Sequence, residues 1–243
     1  MTKIIADFCS NHLGDRRLME EGIKRLAEIG VDYIKFQTFN ADKLNKDYPD
    51  YDKMYKYYKS VELSRDDHLF IIQNCNKYGI KPLFTAFDID SAYMIYGCGV
   101  DEVKIASPDA DNWELLDVCN KMFNKLFISC GMISHTNLSR LRRMYPEHTY
   151  FYCISKYPTA IDDIDFSKAV LFDGFSDHTS DIKASLHAIN LNVGYIERHF
   201  TLGKDLPGKD HKISSTVDEF AKLVAERDYV ASIAKYKNRW RST

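Results

Sequence analysis

The sequence predicts an α/β protein in which eight parallel strands close into a (β/α)8 barrel, the TIM barrel. Three observations support this prediction: eight short apolar segments are present, most are followed by a helix-like segment, and no linker or repeat interrupts the alternation. The 243 residues suit a barrel folded as one unit, so we expect a single domain over residues 1–243. A doubly wound open sheet is the alternative, but neither a G-x-G-x-x-G motif nor a Walker-type phosphate loop is present.

Each predicted element follows from local sequence signals. The predicted strands are Lys3–Asp7, Tyr33–Gln37, Lys81–Thr85, Glu102–Ser107, Leu126–Ser129, Tyr150–Cys153, Leu171–Ser176 and Val193–Ile196. The first helix places Met19, Ile23 and Leu26 on one face and ends at Gly30. The predicted helices that follow are 64–77, 89–96, 112–122, 136–144 and 182–190, and the last begins at Thr216 with a capping-box pattern.

The long connection between the second strand and the next helix, Asn40–Val61, is dense in tyrosine. Loops after barrel strands face the open end of the barrel, so we expect this connection to be a functional loop there. Exposed tyrosines also favour interfaces, and an oligomer contact is the alternative.

Composition limits the classes of partner and compartment. Lysine and arginine number 33 against 35 acidic residues, so the net charge of −2 gives no support to a nucleic-acid or anionic-membrane surface. No apolar run of membrane-spanning length is present and a strand begins near the N-terminus, so we expect neither a membrane span nor a signal peptide. The six cysteines form no C-x-x-C pair and are expected to be reduced thiols of a cytoplasmic protein.

Polar residues interrupt the apolar pattern at or just after the predicted strand ends. They are Asp7, Lys35, Gln37, Thr85, Lys104, Ser107, Ser129, Ser155, His178 and His199. A barrel gathers these ends around one mouth. Any one of them alone could be a solvated loop residue, but burying so many without a purpose would be costly. Two lysines with several hydroxyls suit a ligand that carries both a phosphate and a carboxylate.

His178 and His199 follow neighbouring predicted strands, so both should lie at the same edge of the sheet. With Asp177 and Asp210 close in sequence, the two imidazoles could hold a divalent cation. A structural, hydrogen-bonding role is the alternative for a histidine at a strand end. Such a metal can polarise a carbonyl or orient a water. A serine hydrolase is disfavoured because no G-x-S-x-G motif is present.

The chain resembles the sialic acid synthase (N-acetylneuraminate synthase) family over nearly its whole length. The resemblance lies in the content and order of blocks at 5–14, 34–39, 62–64, 103–107, 128–132, 153–159, 176–179, 197–201 and 207–211. It implies a barrel enzyme that condenses phosphoenolpyruvate with an open-chain N-acylhexosamine to give a 3-deoxy-2-ulosonic acid and phosphate.

The resemblance also implies roles for individual residues. The residues that would hold phosphoenolpyruvate are Lys35, Thr85, Lys104, Ser107, Ser129 and Ser155. His178 and His199 would bind Mn²⁺ or Mg²⁺. The residues that would contact the sugar acceptor are Gln37, Asp109, Tyr157 and Asp210, and Asp7 would stand where the family has an acid near the reacting centre.

The chain departs from the family pattern in three respects. Asp7 and Asp109 stand where the family usually has Glu, which withdraws each carboxylate by one methylene. Cys9, Pro108 and Cys130 replace smaller or hydroxylated residues. Since the given sequence stops at Thr243, we also expect the C-terminal antifreeze-like domain of the family to be lacking; in the family, this domain lends an arginine to the acyl group across a swapped dimer.

We therefore expect weak discrimination between an N-acetylated hexosamine and its 2-hydroxy counterpart, and a homodimer is one expectation among others. The alternatives are a synthase of a different 3-deoxy-ulosonate built on a non-acylated aldose, and a barrel that binds a ligand without turnover.

Overall fold

The strands form a closed parallel barrel in sequence order. The computed structural model describes residues 1–47 and 49–239, with side chains through residue 234. Within these residues the strands are β1 (Lys3–Asp7), β2 (Tyr33–Thr38), β3 (Lys81–Ala86), β4 (Glu102–Ile105), β5 (Lys125–Ser129), β6 (Thr149–Cys153), β7 (Gly174–Asp177) and β8 (Tyr195–His199). Each strand pairs with its sequence neighbours, and β8 pairs with β1 to close the barrel. The predicted fold class is confirmed.

Helices cover the outside of the barrel. They are α1 (Arg16–Glu28), α2 (Tyr51–Val61), α3 (Arg65–Tyr78), α4 (Ile89–Gly97), α5 (Trp113–Met122), α6 (His135–Met144), α7 (Phe166–Ala169), α8 (Lys183–Asn190) and α9 (Val217–Arg239). The predicted capping box of α9 is present, since the backbone N–H of Thr216 donates to the Glu219 carboxylate and Thr216 Oγ1 accepts from the Glu219 N–H. No helix in the described part of the chain is both long and apolar enough to cross a bilayer.

The last two strands begin and end later than their apolar runs predicted. Leu171 lies in the turn after α7, and Val193 lies in the turn after α8. Strand β7 continues to Asp177 and strand β8 to His199, through charged residues that the sequence pattern suggested would end them. These charges stay in the strands because each finds a buried partner.

The tyrosine-rich connection is not mainly a loop, contrary to the sequence prediction. A short 3-10 turn at Ala41–Lys43 is followed by helix α2, which buries Met54 and Val61. Tyr48, which belonged to the predicted loop, lies outside the described residues. The connection therefore supplies a helical wall to the open end of the barrel.

Strand periodicity divides the barrel interior into a floor and a mouth. Since alternate residues of a strand face the same side, Ile5 and Leu83 point inward below Asp7 and Thr85. The apolar floor consists of Ile5, Tyr33, Leu83, Phe127 and Phe151, with Tyr195 packed against it. The floor closes one end of the barrel, and the polar residues above it face the other.

The missing side chain of Gly174 leaves room for the ring of Phe151 in the apolar floor. A Cβ built on Gly174 would lie 2.4 Å from Phe151 Cε1, far inside van der Waals contact. The glycine that opens β7 is therefore required by the packing of β6.

We expect Gly174→Ala to destabilise the fold by about 1–3 kcal/mol, because the new methyl group must displace a packed aromatic ring. Gly97→Ala is the matched control, since a Cβ at this position in α4 meets no heavy atom within 4 Å. Urea unfolding of both variants measures the difference. Equal midpoints would contradict this account of the floor.

Candidate active site

A cavity of about 410 Å³ opens at the carboxyl ends of the strands, and we name it the mouth cavity. All ten polar residues that the sequence placed at strand ends line it. Tyr157 and Asp210, which the family resemblance added, line it as well. Asp109 does not line it, because it lies in a short 3-10 turn after β4, and its contact with a sugar stays a prediction.

The centre of the mouth cavity is a buried ion network around Lys35. Its ammonium nitrogen lies 2.8 Å from Asp7 Oδ2 and 2.6 Å from Glu197 Oε1, and its side chain is only 7% exposed. Burial alone would lower the pKa of Lys35, but the charges of Asp7 and Glu197 outweigh burial and raise it. Lys35 is therefore charged and already paired with two carboxylates.

Lys104 is buried with a less complete set of partners. Its ammonium donates to Ser129 Oγ at 2.5 Å and to the carbonyl of Ile105 at 2.9 Å, and the nearest oxygen of Glu197 is 3.9 Å away. Burial lowers the pKa of Lys104 despite the carboxylate of Glu197. An anion that reached this ammonium would replace solvation that burial has removed.

Glu197 connects the two lysines and was missed by the sequence analysis. Its carboxylate contacts Lys35, lies 3.9 Å from Lys104 and accepts a hydrogen bond from Ser176 Oγ. Burial would raise the pKa of Glu197, but the two lysines hold it below its usual range. A signal was available: Glu197 stands two residues before His199, so both face the barrel interior if the strand extends that far.

Hydroxyl groups form a second wall of the mouth cavity. Ser155 Oγ donates to Ser107 Oγ at 3.2 Å, and Ser129 Oγ lies 3.3 Å from Ser176 Oγ. Thr85 Oγ1 is buried and has no hydrogen-bond partner among the described residues. A buried hydroxyl without a partner is unfavourable, so a ligand that accepted or donated there would be stabilised.

The two histidines lie side by side, as the sequence predicted for the ends of β7 and β8. Their ring centroids are 5.6 Å apart, and the ring of Tyr157 packs 4.3 Å from His178 and 5.6 Å from His199. Burial lowers the pKa of His178 and lowers that of His199 to about 4. Both rings are therefore neutral near pH 7, the state in which imidazole can ligate a metal.

Oxygen and sulfur atoms lie near His199 that could extend such a ligand set. Ligand atoms of Asp7, Cys9 and His199 all lie within 4.8 Å of one another. Imidazole and carboxylate donors suit a divalent ion, whereas burial and the charge of Asp7 raise the pKa of Cys9 and keep its thiol protonated. Asp210 also lines the cavity, and burial followed by the charge of Asp7 raises its pKa.

The side chain of Asp177, which the sequence analysis placed near the predicted metal site, contacts other residues instead. Its carboxylate forms a buried ion pair with Arg198 and accepts hydrogen bonds from the hydroxyls of Thr179 and Ser185. Asp177 is the last residue of β7, and its side chain serves the packing of α8 rather than the mouth cavity.

Helix α2 and the segment after β8 supply the rim. Tyr57 and Tyr58 line the cavity, and Tyr57 Oη lies 2.7 Å from Ser10 Oγ. The ammonium of Lys209 lies over the rings of Tyr57 and Tyr58 at 5.5 and 5.2 Å from their centroids. The tyrosine-rich segment thus faces the candidate site, although as a helix.

Comparison with known proteins decides the family. The family model described as the NeuB family matches residues 22–238, nearly the whole chain. The chain belongs to the NeuB family. The resemblance to sialic acid synthases is thereby confirmed, and the chain is an enzyme of that type.

Individual relatives agree with this assignment. The chain is 33% identical to the N,N'-diacetyllegionaminic acid synthase of Legionella pneumophila, with 91% of this chain and 70% of that protein covered. It is 28% identical to the human N-acetylneuraminate-9-phosphate synthase, with 91% of this chain and 68% of the human protein covered. The structure of an N-acetylneuraminic acid synthetase from Leptospira borgpetersenii in complex with citrate superposes with a TM-score of 0.88 at 25% identity, covering 100% of this chain and 92% of that one.

Proposed function

We propose that this NeuB-family enzyme condenses phosphoenolpyruvate with an open-chain aldose, an N-acylhexosamine or a related sugar, to give a 3-deoxy-2-ulosonic acid and phosphate. The observation that carries the proposal is the mouth cavity itself. It brings two buried lysines, several hydroxyls and two neutral histidines within one space. Relatives named for sialic-type acids support the same reaction class.

Phosphoenolpyruvate carries two anionic groups, and the cavity offers matching donors. We assign its binding to Lys35 and Lys104 with the hydroxyls of Thr85, Ser107, Ser129 and Ser155. The unpartnered Thr85 hydroxyl and the incompletely paired Lys104 are the groups that gain most from such a ligand. Gln37, Tyr157 and Asp210, which also line the cavity, would contact the sugar.

We assign a divalent cation, Mn²⁺ or Mg²⁺, to His178 and His199. The residues fit a metal because both imidazoles are buried, neutral and adjacent, and the Asp7 carboxylate lies beside His199. When bound, such an ion polarises a carbonyl oxygen and orients a water. The ring of Tyr157, packed on both imidazoles, would keep the two ligands in place.

The reaction needs no covalent attachment to the protein. C3 of phosphoenolpyruvate forms a bond to the aldehyde carbon, whose oxygen takes up a proton and becomes a hydroxyl. Water adds at C2 and gives up one proton. As the bond from C2 to the phosphate oxygen breaks, the new C2 hydroxyl loses its remaining proton to the departing phosphate, which leaves a ketone at C2. The work of the chain is to hold both substrates in this orientation and to place charges around them.

The direct test is phosphate release from phosphoenolpyruvate with Mn²⁺ or Mg²⁺ and a panel of aldoses. We expect release only in the presence of an acceptor, because no group in the proposed mechanism hydrolyses phosphoenolpyruvate alone. Release with non-acylated aldoses only would favour the synthase of a different ulosonate. Binding of phosphoenolpyruvate without any release across the panel would favour a ligand-binding barrel.

Lys104→Met should weaken phosphoenolpyruvate binding by roughly ten- to a hundred-fold, since a charge-assisted contact contributes about 1.5–3 kcal/mol. Methionine retains an apolar stem but carries no ammonium, so the loss reports the charge. Calorimetric titration measures the affinity, and Lys121→Met on the exposed face of α5 is the control. Unchanged affinity in Lys104→Met would remove the phosphate-binding role.

The metal assignment predicts one Mn²⁺ site at the two histidines. Anomalous scattering from manganese-soaked crystals should place the ion there, and His178→Ala should abolish the peak and lower metal affinity in solution. His135→Ala, at an exposed position that opens α6, should change neither. An ion located at another cluster, or retained in His178→Ala, would contradict the assignment.

A further inference from the structure

A second cavity of about 410 Å³ adjoins the mouth cavity, and we name it the side cavity. The two cavities share Gln37, Tyr58 and Phe87 in their linings. The side cavity lies over the segment that follows β2, next to the short 3-10 turn before α2. These three residues stand between the two spaces, so a ligand that reached from one cavity to the other would contact them.

The side cavity has a mainly apolar lining built around aromatic rings. Phe39 meets Tyr58 edge-on, with ring centroids 5.5 Å apart, and meets Phe87 in the same way at 6.3 Å. Ala41 and Leu44 add to this surface, and Asn40 and Asn45 are uncharged polar residues of the same lining. Such a surface favours a methyl group or a deoxygenated carbon over a strongly hydrated group.

Electrostatics at the side cavity disfavour an anion. Lys43 lines it, but the ammonium of Lys43 lies 2.9 Å from Asp88 and 2.5 Å from Asp90. The carboxylates of Asp88 and Asp90 outnumber the single ammonium of Lys43, so the local charge at this edge of the side cavity is negative. Asp88 is also fixed in place, since its carboxylate caps α4 by accepting from the N–H of Ser91 at 2.7 Å. A phosphate entering here would meet like charge and an ammonium that is already paired.

We propose that the side cavity receives the end of the acceptor sugar farthest from the aldehyde, and that it selects an uncharged far end bearing a methyl, deoxy or acylamino group over a phosphorylated one. The inference rests on the proposed condensation, which places the aldehyde end in the mouth cavity. Phe39 and Leu44 are then specificity-determining residues, because they contact the part of the acceptor in which such sugars differ.

Binding of unreactive acceptors tests this selection without requiring turnover. Reduced N-acetylmannosamine, its 6-deoxy form and its 6-phosphate lack the aldehyde and can be titrated with and without phosphoenolpyruvate. We expect the 6-deoxy form to bind at least about tenfold more tightly than the 6-phosphate, in line with what apolar pockets achieve. The same order should appear in kcat/KM for the corresponding aldehydes.

Two variants separate the apolar and the electrostatic contributions. Phe39→Ala should weaken binding of the 6-deoxy form by roughly tenfold and leave the affinity for phosphoenolpyruvate unchanged. Leu44→Lys adds a positive charge at a half-buried position of the lining. It should strengthen binding of the 6-phosphate by roughly ten- to a hundred-fold. Tyr93→Ala, on the exposed surface of α4, is the control and should change none of these affinities.

The outcomes distinguish this inference from the proposed function. Equal affinities for the 6-deoxy and 6-phosphate forms, or a wild-type preference for the phosphate, overturn the role of the side cavity even if turnover occurs. The role of the side cavity is also overturned if Phe39→Ala or Leu44→Lys changes the affinities for all acceptors by the same factor. The predicted binding order and both affinity changes could appear while no aldehyde causes phosphate release from phosphoenolpyruvate. That result would support the role of the side cavity and contradict the proposed condensation.

Discussion

The candidate site depends on one buried ammonium held between two carboxylates. Lys35 lies on β2, Asp7 on β1 and Glu197 on β8, and β1 pairs with both of the other strands. The three charges can meet only when the first and last strands of the barrel join. Removing one partner would leave a buried charge uncompensated, which is strongly unfavourable. Closure of the barrel and assembly of the site are therefore the same structural event at this point.

The balance of charge around this ammonium indicates where an anionic substrate is needed. Asp7 and Glu197 face Lys35 and Lys104, two negative charges against two positive ones, but the sharing is unequal. Lys35 contacts both carboxylates within 2.8 Å, whereas Lys104 lies 3.9 Å from Glu197 and otherwise contacts neutral oxygens. An incoming anion therefore gains most at Lys104, while Lys35 keeps the acidic groups in place.

Much of this arrangement could be predicted from the sequence because strand periodicity and barrel topology are local and simple. Polar residues at strand ends had to converge once the barrel was inferred, and Lys35, Lys104, His178 and His199 do. Glu197 could not be recognised in the same way, because apolar runs define strands and its lysine partners are far away in sequence. Helix α2 was missed for a different reason: its segment was treated as part of one long connection after the second strand, although Tyr51, Met54, Tyr55 and Tyr58 recur at helical spacing.

The two histidines give the opposite side of the mouth cavity a different chemical character. His178 Nδ1 lies 2.8 Å from the carbonyl oxygen of Ile154, and a carbonyl can only accept, so Nδ1 carries the proton and Nε2 keeps its lone pair. Burial, the charge of Lys35 and the neighbouring imidazole all disfavour protonation of His199. A side of neutral, electron-pair-donating imidazoles thus faces a side that carries the incompletely paired ammonium of Lys104. In the proposed reaction, anionic phosphoenolpyruvate would lie toward Lys104 and the carbonyl of the acceptor toward the imidazoles, before any contact specific to the sugar is made.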